Sequence, residues 1–192
     1  MKRLGLSALL TVASGTALAT MPLLVDVTSS NLPVGVLAGR SMHAAAVDVD
    51  HDGDLDIVVA MEFQRNVILL NDGAGRFVDG SALLPPGVHD SEEVVAADFN
   101  GDGFVDLFFA SEDDQVHELY FNDGAGRFGD VSGRIPIRSV ANGAAALDVN
   151  ADGWIDLVLA NNGQNAILIN DGSGGIRISS DINSGGNPLP LS

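Results

Sequence analysis

The chain has 192 residues, enough for one domain with a real core, and 26 acidic against 9 basic side chains give it a formal charge of −17. Such a balance repels phosphate backbones and anionic headgroups, so it excludes nucleic-acid partners and membrane-surface binding. Hydrophobic residues make up 46%, which also excludes a disordered acidic tail.

Residues 1–19 read as a cleaved export signal. Lys2 and Arg3 form a positive start, Leu4 to Val12 is largely apolar, and Ala17-Leu18-Ala19 fits a cleavage site. The run is too short, and too rich in Ser and Thr, for a membrane span, which needs about 20 mostly apolar residues. The expected location is therefore secreted or periplasmic, with no membrane span. Cleavage would remove the only lysine, and the chain has no cysteine. Lysine-base and thiol chemistry are thereby excluded, as are disulfides. A secreted domain without disulfides needs another staple, and metal is the usual one.

From residue 20 to 182 the chain repeats itself. DVDHDGDLD starts at Asp48, DFNGDGFVD at Asp98 and DVNADGWID at Asp148, a period of 50. NDGAGRF follows from Asn71 and again from Asn122, and NDGSGGI from Asn170. An apolar-Asp element recurs around Asp26, Asp79 and Asp130.

Each repeat spells four short strands. In the first they are His43 to Val47, Leu55 to Ala60, Val67 to Leu70 and a last one near Phe77, with the Asn71-Asp72-Gly73 turn before it. The strands after the acidic loops (LDIVVA, VDLFFA, IDLVLA) are apolar on both faces and so belong between packed layers. Four strands in roughly 45 residues predict an all-β fold of propeller-type blades, over about 43–83, 93–132 and 141–182. A β-solenoid is the alternative. Residues 183–192 read as a flexible tail.

The acidic loops carry the chemistry. Their pattern, D-x-[DN]-x-D-G-x-x-D, sets side-chain oxygens at positions 1, 3, 5 and 9, with a Gly at position 6 for the bend and a backbone carbonyl from position 7. Oxygen-only donors select calcium over zinc or copper. An EF-hand would need Glu at position 12, where Val59, Phe109 and Leu159 stand, and helices on both sides. A merely solvated turn would crowd carboxylates that raise one another's pKa.

Loop, following strand and N-D-G-x-G-x-F turn together resemble the FG-GAP/VCBS repeats of integrin-α-type propellers. The resemblance implies one calcium ion per repeat, about three in all, in the hairpin between the first two strands of each blade. By position it implies Asp48, Asp50, Asp52 and Asp56 as ligands, with Asp54 through its carbonyl. In the second loop it implies Asp98, Asn100, Asp102, Asp106 and the Phe104 carbonyl; in the third, Asp148, Asn150, Asp152, Asp156 and the Trp154 carbonyl. Family propellers usually close with about seven blades, whereas this chain supplies three. Two apolar end faces are therefore expected to stay open, with Ile57, Val59, Leu157 and Leu159 on them, and no capping helix is legible. Self-association, most simply a two-fold pair forming a six-bladed ring, is the expected remedy; a truncated copy of a longer propeller is the alternative.

No catalytic constellation is legible: neither G-x-S-x-G nor H-E-x-x-H occurs. Gly124 to Gly129 matches G-x-G-x-x-G, but no helix pattern follows it. His43, His51, His89 and His117 read as surface or loop histidines. Glu92-Glu93 and Glu112-Asp113-Asp114 read as solvated loop charge. The expected function is a non-catalytic module binding protein or glycan partners through its loops. The alternative is an accessory segment of a secreted hydrolase or lyase.

Overall fold

In the computed structural model, which describes residues 24–172 and 176–178, every regular element beyond three short helical turns is a strand. The first blade is β1 (Ser41–Val47), β2 (Asp56–Gln64), β3 (Val67–Asn71) and β4 (Phe77–Asp79). The second is β5 (His89–Ala97), β6 (Asp106–Ser111), β7 (Glu118–Asn122) and β8 (Phe128–Asp130). The third is β9 (Ala141–Leu147), β10 (Asp156–Asn161), β11 (Ala166–Asn170) and β12 (Ile176–Ile178). Each blade is an antiparallel meander. The first two blades also join, as Glu62 and Gln64 at the end of β2 pair with Asp90 and His89 at the start of β5. Residues 1–19, read as an export signal, lie outside the described residues. Among those described, no helix is long and apolar enough to cross a membrane.

The doubly apolar strands do what their composition dictates. Val58 and Ala60 face Leu107 and Phe109 in one core layer, while Phe108 and Ala110 on the opposite face of β6 meet Leu157, Leu159 and Leu168 in the next. The middle blade is thus packed on both sides, with Phe108 and Phe109 fully buried. Truncating either to Ala would cost about 3–5 kcal/mol.

The end faces differ from expectation. Leu157 and Leu159 point inward onto the second blade; the outer face of the third blade instead carries Val158, Ile167 and Ile169, half-buried, and Ala160, exposed. On the first blade Val59, Met61, Val67 and Leu69 form a third cluster, with Ile57 beside it, and it is covered by Leu32, Val36 and Leu37. The segment before β1 is therefore a cap, although it has no amphipathic periodicity to announce it. It is fixed by the short helix α1 (Thr28–Asn31) and by Asn31 Nδ2, which donates to the Gly75 carbonyl at 2.7 Å. A two-fold pair closing a ring would need both end faces open, and the cap removes one.

The apolar-Asp marker has a local cause. Asp26, Asp79 and Asp130 each accept a hydrogen bond at 2.9 Å from the N–H two residues on, at Thr28, Ser81 and Ser132. These are Asx turns that start the short helical turns.

Blades are also stapled by asparagine. Asn122 Nδ2 donates to the Val49 carbonyl of the first acidic loop at 2.8 Å and to Val105 of its own loop at 3.1 Å. Asn170 repeats this, reaching Phe99 at 2.7 Å and Ile155 at 3.2 Å. In the second and third blades the first residue of the N-D-G turn thus locks its blade onto the preceding loop, whereas Asn71 in the first blade bonds only its own loop, at the Leu55 carbonyl.

His117 is buried rather than superficial, at 4% exposure. Its Nδ1 accepts from the Ser111 N–H at 3.1 Å, where Asn66 Oδ1 in the first blade and Asn165 Oδ1 in the third accept from Met61 and Asn161. That bond leaves the ring proton on Nε2, which donates to Ser139 Oγ at 2.9 Å; Ser139 in turn donates to Asn161. The imidazole therefore cannot act as a base toward Ser139. Burial pushes its pKa from 6.5 down to about 4. The unfolded chain binds the extra proton between these values, so the His117 contribution is fully present above pH 6.5 and lost as pH falls through 4. The loss approaches about 3 kcal/mol. His117→Asn keeps the acceptor without the titration. Urea midpoints at neutral and acid pH are expected to fall less for this variant than for the wild type, and equal falls would contradict the assignment.

Candidate metal centre

Each acidic loop closes the hairpin between the first two strands of a blade, and its first and fifth positions build it. Oδ2 of Asp48, Asp98 and Asp148 accepts from the N–H of Gly53, Gly103 and Gly153 at 3.0, 2.9 and 2.9 Å. Oδ1 of Asp52, Asp102 and Asp152 accepts from the N–H of Asp54, Phe104 and Trp154, each at 2.9 Å. The position-6 glycines have φ of 94°, 90° and 92°, as the bend requires. Position 4 is also left-handed, with φ of 65° at His51 and 61° at Ala151, which the pattern had not revealed.

In the first loop, carboxylate oxygens of Asp48, Asp50 and Asp52 converge to within 4.8 Å of one another. Asp50 Oδ1 is buried there and has no hydrogen-bond partner. The second and third loops carry asparagine at that position, and it changes the balance. Asn100 Nδ2 donates to Asp102 Oδ2 at 2.9 Å, and Asn150 Nδ2 to Asp152 Oδ2 at 2.8 Å. An amide can satisfy the neighbouring acid, whereas Asp50 can only accept. The first loop thus holds one more anionic oxygen and an uncompensated one.

Position 9 has a role that its place in the pattern concealed. Asp56, Asp106 and Asp156 are almost fully buried. One oxygen of each accepts from the N–H of Val49, Phe99 or Val149, all at 2.9 Å. The other accepts from the N–H of Asn71, Asn122 or Asn170, all at 2.8 Å. These residues brace the loop against the N-D-G turn, and Asp56 stands outside the converging trio. Burial raises the pKa of all three, Asp106 to about 6, and the other loop carboxylates push the same way. Each carboxylate oxygen retains a second acceptor site.

The side chain at position 7 is not idle either. A Cβ added to Gly73 or Gly124 would lie 2.6 Å from the Asp54 carboxylate or 2.7 Å from the Phe104 ring, and one at Gly172 would overlap Trp154. Only glycine leaves room for these side chains on the N-D-G turns. Neighbouring loops touch through the same residues: His51 meets Phe104 edge-on at 5.2 Å, and Trp154 covers Gly101. The three loops consequently form one continuous row along one rim.

A hard cation fits this donor set, because every converging donor is oxygen and Asp50 Oδ1 lacks any other partner. Three four-stranded blades, each with an acidic hairpin loop, define a propeller-type repeat module. The FG-GAP-like repeat model matches residues 48–109 and 148–192, more than half of the chain, and the chain belongs to that family. No curated protein matches it. Among solved structures, one of an Agrocybe aegerita lectin, described as specifically recognising non-reducing terminal N-acetylglucosamine, is similar at 22% identity with a TM-score of 0.44. The similarity covers 69% of this chain and 36% of the lectin chain, so this chain spans only about a third of that protein's length.

Proposed function

We propose that this protein is an exported, calcium-binding repeat module without catalytic activity, whose loops engage a protein or glycan partner. The observation that carries the calcium reading is the buried, partnerless Oδ1 of Asp50 within the Asp48–Asp50–Asp52 trio. Asp48, Asp50, Asp52 and the Asp54 carbonyl would hold the first ion, with the corresponding residues of the other loops holding the second and third. Calcium would supply the positive charge that these loops lack and fix the rim on which partner contacts are made. Asp56, Asp106 and Asp156 set the loop geometry and can add an oxygen. Export rests on the pattern of residues 1–19, and extracellular calcium modules work at Kd of about 10⁻⁴–10⁻³ M. The absence of activity is supported by His117, the histidine with a serine beside it, being locked as a donor.

Calcium titrations of Asp52→Ala, Asp102→Ala and Asp152→Ala test this reading. Greater ligand charge raises affinity, so the first loop fills first and Asp52→Ala removes the tightest event. Equal losses in the three variants would contradict the ranking, and titrations showing no calcium uptake would contradict the function.

A further inference from the structure

The ends of the blades away from the acidic loops carry a second convergence of oxygens. Asp90 at the start of β5, and Glu112 and Asp113 just after β6, bring one carboxylate oxygen each to within 4.8 Å of one another. Asp90 is only 1% exposed. Its Oδ2 accepts from the Asp113 N–H at 2.7 Å, but its Oδ1 is buried with no partner. Two basic side chains at these blade ends are committed to other acids: Arg40 pairs with Glu62 at 2.9 Å, and His89 Nδ1 lies 2.8 Å from an Asp114 carboxylate oxygen. Burial first, and then the surrounding carboxylates, raise the pKa of both Asp90 and Glu92. Glu92 and Glu112 are half-buried, so they are not the freely solvated loop charge that their runs in the sequence suggested, whereas Asp113 is exposed.

The repeat supplies its own control. One backbone hydrogen bond recurs at this corner of every blade: Glu62 N–H to the Arg40 carbonyl, Glu112 N–H to Asp90, and Asn162 N–H to Val140. Asp90 thus occupies the place of Arg40 and Val140, and Glu112 that of Glu62 and Asn162. The first blade fills the corner with an arginine–glutamate pair, and the third with an uncharged valine and asparagine. The fold itself asks for no net charge here. A buried carboxylate oxygen without a donor costs about 1–3 kcal/mol or more, and at this corner, among the described residues, only the middle blade bears it.

We propose that Asp90, Glu112 and Asp113 form a further calcium site, specific to the middle blade and on the opposite rim from the acidic loops. The donors are all oxygens, which suits a hard cation. Asp90 closes the inner side and exposed Asp113 opens the outer one. An ion held from one side keeps coordination positions for water or for a ligand oxygen. This site shares no residue with the acidic loops and stands or falls without them.

The test is the full chain and its Asp90→Asn variant, dialysed to equilibrium against calcium alone, with bound metal counted per chain. The asparagine oxygen still accepts from Asp113, while the unpaired charge is gone. Wild type is expected to carry one ion more than Asp90→Asn, and the same difference is expected in an Asp52→Ala background, which keeps failure of the loops separate from failure of this site. Glu112→Gln is expected to lose the same ion. In chelator, Asp90→Asn is expected to melt above wild type, because it sheds a buried charge that calcium otherwise neutralises. An unchanged ion count, or an Asp90→Asn protein that melts below wild type in chelator, would overturn the proposal.

Discussion

Stripping calcium from the protein with a chelator is expected to lower its melting temperature by roughly 10 °C. At a calcium concentration of ten times Kd, each site adds about 1.4 kcal/mol by mass action, so three loops contribute roughly 4 kcal/mol. Total stabilities run to about 5–15 kcal/mol, and for a chain of this size each kcal/mol moves the midpoint by about 2–4 °C. The charge distribution argues the same way. Asp48, Asp50 and Asp52 face one another across less than 4.8 Å, and no lysine or arginine bonds to any of them among the described residues. Without a cation their repulsion opposes closure of the hairpin. Thermal scans in calcium and in chelator measure the difference, and superimposable curves would contradict it.

Asp106→Ala is expected to destabilise the protein by about 3 kcal/mol even in chelator, whereas Asp102→Ala is expected to cost under about 1 kcal/mol there. Asp106 is completely buried, and its two oxygens accept from the Phe99 and Asn122 N–H groups at 2.9 and 2.8 Å. Removing it leaves both donors without a partner, each at about 1–3 kcal/mol. Part of that loss is offset because burial already disfavours the charged carboxylate, as its pKa of about 6 indicates. Asp102 is exposed and gives up its bonds to the Phe104 N–H and the Asn100 amide, both of which water can replace. With calcium restored, Asp102→Ala is expected to lose its advantage, because it then forfeits a ligand. Urea denaturation of both variants, with and without calcium, separates brace from ligand. Equal costs in chelator would show that position 9 is no more structural than position 5.

Much of the fold was legible because its determinants are local and repeat. The apolar strands after each acidic loop, the glycine at position 6 and the N-D-G turns all act within a few residues, and the repeat displayed each of them three times. The two inter-blade layers follow from strands such as LFFA, apolar on both faces. Other features depend on distant partners and leave no periodic trace. The Asn122 amide bonds a carbonyl 73 residues away, and nothing in N-D-G distinguishes that staple from a turn residue. The brace at Asp106 was hidden because an aspartate in a ligand pattern reads as a ligand whatever else it holds. The cap was missed because Leu32, Val36 and Leu37 sit in an irregular segment. Asp90 gave no signal of its own: it stands two residues before the Glu92-Glu93 pair, which reads as solvated loop charge, and only its burial beneath Asp113 sets it apart.

The most direct test of the central claim is a crystal grown in calcium, with the ions located by their anomalous scattering. The account predicts a peak within each of the three acidic loops, about 2.3–2.6 Å from oxygens of the residues at positions 1, 3 and 5. The first loop, with Asp50 at its third position, is predicted to be the most fully occupied. Loops that keep their hairpin geometry in calcium yet show no peak would contradict it.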